Sequence, residues 1–118
     1  MTPLEHRREP RLPLTLSVLL TASGGYAIPA RLRNVSRHGL FVEAEAPVPR
    51  NALLHVELTL PSLAGQSRFL LPVYAVHTTE RGAGLVLTPG DPEAAEVLGR
   101  LVKSAAGGRI RLRRLSAG

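Results

Sequence analysis

Two short stretches hold residues whose types and spacing could do chemistry: Arg7-Arg8-Glu9-Pro10-Arg11 near the start, and Asn34-Val35-Ser36-Arg37-His38-Gly39 further along. An arginine presents a flat fork of donors that takes phosphate oxygens or a guanine edge in bidentate fashion and stacks on aromatic rings, which a lysine does not. Asn34 offers a donor and an acceptor, and Ser36 adds a hydroxyl. In an extended chain residues two apart project from one face, so Asn34 and Ser36 can address one ligand together. Gly39 permits either a positive φ or a close backbone approach at the turn. The combination is one for a phosphate-bearing, purine-like ligand. Each stretch alone also has a plainer reading: a solvated charged leader for the first, and a polar hairpin for the second, because Asn, Ser and Gly are common turn residues.

Other chemistries find little support. The chain has no cysteine, which removes disulfides, thiolate metal sites and cysteine nucleophiles. His6, His38, His55 and His77 lack metal-ligand spacing and have no accompanying carboxylate cluster, so no metal is expected. A Ser36 nucleophile with His38 as base is disfavoured: two neighbours on a tight turn do not readily make the required hydrogen bond, and no acid is placed to orient the imidazole. No enzymatic activity is expected. The net charge of +6 is unevenly placed. Residues 1–99 balance nine arginines against nine acids, while Arg100, Lys103, Arg109, Arg111, Arg113 and Arg114 stand without an acid. A neutral body with a basic end argues less for a nucleic-acid or membrane partner than a uniformly basic domain would. Two Tyr, two Phe and no Trp further weaken a base-stacking nucleic-acid surface.

Arg7 and Arg11 with three residues between them, followed one hairpin later by Asn34, Ser36 and Gly39, resemble the paired RxxxR and (D/N)xSxxG motifs of PilZ domains, bacterial receptors for the second messenger cyclic di-GMP. Both motifs are complete and in the family's order, and the downstream strands extend the resemblance over roughly residues 4–106. It implies that Arg7 and Arg11 grip the ligand's phosphates and guanine, that Asn34 and Ser36 read base and phosphate edges, that Arg8 adds a contact, and that Gly39 shapes the loop. It also implies a leader that wraps over the ligand. Asn34 stands where aspartate is commoner; the motif allows it, but an amide lacks the carboxylate's charge.

The elements that must position these residues follow from the alternation of apolar and polar side chains. At 118 residues one domain with a modest core is expected. Residues 1–11 have no apolar periodicity and read as a flexible leader. From Leu12, the positions Leu14, Leu16, Val18 and Leu20 alternate with polar residues as in a half-buried strand, Ser23 to Gly25 turn, and a second strand runs from about Tyr26 to Val35. Leu40, Val42 and Ala44 line a third strand, ended by Pro47 and Pro49. Ala52 to Leu60 forms a fourth, and PSLAGQS connects it to a fifth, Arg68 to His77. There Phe69, Leu71, Val73 and Ala75 lie on one face and Leu70, Tyr74 and Val76 on the other, while Pro72 marks an edge or an irregularity. Ala83 to Leu87 makes a sixth. Asp91, Pro92 and Glu93 then open a helix whose stripe of Val97, Leu98, Leu101, Val102 and Ala105 is the natural cover for the second apolar face of the fifth strand. Gly107 and Gly108 stop it.

The alternation has one discontinuity that bears on the site. Continued past Leu32, it would carry Asn34 and Ser36 into the core and expose Val35. Burying an unpaired amide and hydroxyl costs a few kcal/mol. A phase slip near Arg33 and Asn34, in the form of a β-bulge, is therefore expected to turn Val35 inward and Asn34 and Ser36 outward, a device common beside functional sites.

The expected fold is all-β: a small six-stranded antiparallel β-barrel of the PilZ-like, split-barrel type with a C-terminal α-helix. Residues 1–11 form the leader, 12–106 the barrel and terminal helix, and 107–118 a basic tail read as disordered or as an added strand. No apolar run approaches the roughly 20 residues of a membrane span, and the charged, proline-punctuated start does not read as a signal peptide, so a soluble cytoplasmic protein is expected. The expected function is that of a receptor that binds cyclic di-GMP through Arg7, Arg8, Arg11, Asn34, Ser36 and Gly39, uses no cofactor, and signals to a separate protein partner by ordering its leader. Two alternatives stand beside it: a protein-interaction adaptor of this fold in motility or envelope machinery that binds no nucleotide, and a small nucleic-acid-binding barrel using the basic tail.

Overall fold

The structure, a computed structural model, describes residues 11–22, 25–63 and 65–107. The leader before Arg11, the expected turn at Ser23 and Gly24, Gly108 and the basic tail lie outside the described residues. Six strands and one helix follow in order: β1 (Leu12–Ala22), β2 (Ala27–Val35), β3 (Gly39–Ala44), β4 (Leu53–Ser62), β5 (Gly65–Thr78), β6 (Gly82–Leu87) and α1 (Pro92–Ala106). Every pairing is antiparallel, and the strands close in the order β1-β2-β3-β6-β5-β4, with Leu20 of β1 opposite Val56 of β4 completing the circle. Closure leaves no long edge in need of protection.

The period of two decides what fills the interior. Val18 and Leu20, Ile28 and Leu32, Leu40 and Val42, Leu54 through Leu60 at alternate positions, and Leu71 through Ala75 likewise, all converge on one core. Val48, held between Pro47 and Pro49, anchors the β3–β4 connection to the same core.

The β4–β5 hairpin is tighter than the composition of PSLAGQS predicts. Pairing runs through Pro61↔Gln66 to Ser62↔Gly65, leaving only residues 63–64 as the loop, with Gly65 at φ 110°. Turn-rich residues can be absorbed into a ladder when both strands continue to pair, and glycine supplies the left-handed backbone at the bend. Pro72 sits where the missing N–H does no harm. It lies beyond the last β5–β6 pair, Val73↔Leu87, while its carbonyl still accepts from the Thr88 N–H at 2.9 Å.

The helix begins as its sequence dictates. Asp91 caps it, accepting at Oδ1 from the Ala94 N–H at 3.0 Å, and Pro92 opens the first turn. Ala94, Val97, Leu98, Leu101 and Ser104 are buried. The helix ends at Gly107 with right-handed rather than left-handed backbone, φ −85°. The helix packs on β1, β2 and β5, strands from both sides of the barrel, so it spans an open mouth. The outer face of β5 is therefore not its seat: Leu70 and Val76 remain 48% and 40% exposed. The reason is geometric, because closing the barrel leaves the inward-pointing residues at its mouth in greatest need of cover, and those are what the apolar stripe of α1 meets.

Candidate functional site

The expected phase slip is present. Leu32 pairs with Val42 and Asn34 with Phe41, so Arg33 is the extra residue of a β-bulge in β2. Val35 is fully buried and Arg33 points out, 3.7 Å from Glu43, an exposed pair of little energetic weight. Asn34 and Ser36 consequently lie on the outer side of the barrel wall, where both line a cleft of about 430 Å³, a volume within the range of small-molecule sites.

The connection from β2 to β3 is held tightly. The Ser36 N–H donates to the Gly39 carbonyl at 2.9 Å, Ser36 Oγ donates to the same oxygen at 3.4 Å, and the Leu87 N–H donates to the His38 carbonyl at 3.0 Å. Gly39 serves by close approach, not by a left-handed backbone. A Cβ there would lie 2.3 Å from the Leu85 carbonyl oxygen, so a side chain would force β3 away from β6. Asn34 differs from its neighbours: its Oδ1 is buried with no hydrogen-bond partner among the described residues, an arrangement that costs about 1–3 kcal/mol.

Arg11 reaches this site through the register of β1. Pro13 pairs with Asn34, which places the residue just before β1 beside the end of β2, and exposed Arg11 lines the same cleft. Of the residues singled out from sequence, Arg11, Asn34, Ser36 and Gly39 are thus brought together from chain positions more than twenty residues apart. Arg7, Arg8 and His6 lie outside the described residues.

Compared with protein families, the chain matches the PilZ domain over residues 5–104. The chain belongs to the PilZ family. PilZ domains are generally receptors for cyclic di-GMP, binding and adaptor modules rather than enzymes. The fold agrees with a solved structure, the crystal structure of the PilZ domain of CeSA from a cellulose-synthesizing bacterium, with a TM-score of 0.63 at 18% identity over 79% of this chain and 94% of that one. No curated protein matches the chain. Among the described residues of this PilZ domain, no group of three or more His, Asp or Glu could hold a metal ion, and no helix is long and apolar enough to cross a membrane.

Most of the rest of the cleft comes from residues the sequence reading did not assign to it, among them Phe41 on β3, Val76 and His77 on β5, and Gly84 and Val86 on β6. A signal for one of them was available. His77 follows the inward run Leu71, Val73 and Ala75 at the same spacing, the same kind of discontinuity that marks Asn34.

Proposed function

We infer that this PilZ domain is a cyclic di-GMP receptor whose site is formed by Arg7, Arg8, Arg11, Asn34, Ser36 and Gly39. The observation that carries the reading is convergence: Arg11, at the foot of β1, shares one outward-facing cleft with both polar residues of the bulged β2–β3 connection. The chemistry of the ligand matches what is offered there. Guanidinium groups complement phosphate oxygens and the guanine Hoogsteen edge. A turn of the Asn34 amide toward the cleft that its residue lines lets the partnerless Oδ1 accept from a guanine N–H, converting a buried cost into a contact. Ser36, whose hydroxyl is tied only by a long 3.4 Å bond, can turn to a phosphate.

Arg7 and Arg8 come from the leader, so full contact requires the leader to lie over the ligand. Ligand binding then changes the surface seen by a protein partner, which is the signal. The domain performs no chemistry on its ligand.

Calorimetric titration with cyclic di-GMP tests this. Wild-type protein is expected to bind, and Arg7→Ala, Arg11→Ala and Ser36→Ala are each expected to weaken binding roughly tenfold or more, as for lost charge-assisted hydrogen bonds. Undiminished affinity in all three variants overturns the site. No heat or thermal protection from wild type at roughly tens of micromolar ligand overturns the nucleotide reading in favour of a protein-interaction adaptor of the same fold.

A further inference from the structure

Asn34, Phe41, Gly84 and His77 form one row across four neighbouring strands: Asn34 pairs with Phe41, Phe41 with Gly84, and Gly84 with His77. Directly opposed residues of antiparallel strands share a face, and all four line the cleft. Along the row stand an amide, an aromatic ring, a gap and an imidazole.

His77 owes its place to a second bulge. Leu71, Val73 and Ala75 are buried, so a period of two would send His77 into the core. Instead the β5–β6 register steps from Ala75↔Leu85 to His77↔Gly84, making Val76 the extra residue, and His77 emerges exposed. This bulge faces the one at Arg33 across β3 and β6. Two interruptions of the ladder on opposite sides of one cleft, each turning polar side chains toward it, are what a ligand site requires of a barrel wall.

Gly84 also differs from the glycines near it. A Cβ at Gly82 would meet Phe41 Cζ and the Val42 carbonyl oxygen at 2.7 Å, and the clash at Gly39 is closer still, so packing demands glycine at both. At Gly84 an added Cβ would meet only His77, at 3.7 Å and beyond, in ordinary contact, and the backbone is not left-handed. The protein's own packing therefore gives no reason for a glycine, and the space above it opens to the cleft. The Phe41 ring leans over Gly82, which keeps the step at Gly84 uncovered. His77, directly opposite Gly84 on β5, is the side chain that borders this open step.

We propose that the gap at Gly84 seats one purine base of the bound nucleotide, with His77 beside it as a specificity-determining contact that stacks on the base. This rests on the reading of the cleft as a nucleotide site. The test is calorimetry with cyclic di-GMP on wild type, Gly84→Val, His77→Ala and His77→Phe, with thermal melts to verify folding. Removing a stacking partner or filling the seat is expected to weaken binding roughly ten- to a hundred-fold in Gly84→Val and His77→Ala, the range known for base stacking, whereas His77→Phe stays within about threefold because it keeps a π-face. Wild-type binding with unchanged affinity in Gly84→Val and His77→Ala overturns the base seat and leaves the nucleotide reading standing. Equal losses in His77→Ala and His77→Phe overturn the stacking role. Absence of wild-type binding overturns both proposals. Should Gly84→Val fail to fold, the two His77 variants decide alone.

Discussion

Asn34 and Gly39 are six-residue-motif neighbours with opposite relations to stability. Asn34 holds a buried acceptor without a partner, a local cost that the fold tolerates and a ligand can relieve. Gly39 is needed by the fold itself. With Leu85 O 2.3 Å from where a Cβ would stand, Gly39→Ala must separate β3 from β6, and an overpacked contact of this kind costs about 1–3 kcal/mol. Denaturant titration should show that loss as a lower midpoint, with or without nucleotide; an unchanged midpoint would mean the two strands can part at no cost. A motif glycine of this kind is thus a structural part of the site.

At the scale of elements, the two bulges and the helix do different work. The bulges at Arg33 and Val76 disturb β2 and β5 where the cleft lies, so the ladder is weakest where side chains must be redirected. The β1–β2 ladder also steps, between Pro13↔Asn34 and Leu16↔Leu32, whereas the β4–β5 ladder keeps strict register from Leu53↔Tyr74 to Ser62↔Gly65. The helix closes a mouth of the barrel and depends on its cap. Asp91→Ala removes the acceptor of the Ala94 N–H and is expected to lower stability by about 1 kcal/mol. Because Asp91 is not a cleft residue, nucleotide affinity measured at a temperature where the variant is folded should not change. A loss of affinity would tie the helix to the site.

For the whole molecule, the match to PilZ domains begins at residue 5, ahead of the first strand, so the segment carrying Arg7 and Arg8 belongs to the family's domain. Residues 1–11 are proposed as a leader that closes over nucleotide. Limited trypsin digestion should cut after Arg7 and Arg8 readily without ligand and several-fold more slowly with saturating cyclic di-GMP, since binding by a site that includes these residues shields them by mass action. Equal rates at saturation would remove the leader from the site. Deleting residues 107–118 should leave affinity unchanged and only weakly salt-dependent, whereas a steep salt dependence lost with the tail would point to nucleic acid.

Alternation of apolar residues, the Asp91-Pro92 helix start and the paired motifs were enough, before any coordinates, to determine six strands, a terminal helix, the family and the need for a slip at Arg33. These are local properties: a period, a cap, and the cost of burying an amide. Three matters were decided only by tertiary structure, because each depends on which strands become neighbours once the barrel closes. They are the seat of α1 across a mouth instead of over Leu70 and Val76, the role of Gly39 in close approach to Leu85, and the row from Asn34 through Phe41 and Gly84 to His77. The sequence of β5 carried the sign that His77 could not go inward, but only the pairing of β6 between β3 and β5 put that histidine opposite an open glycine and within reach of the same cleft as Arg11.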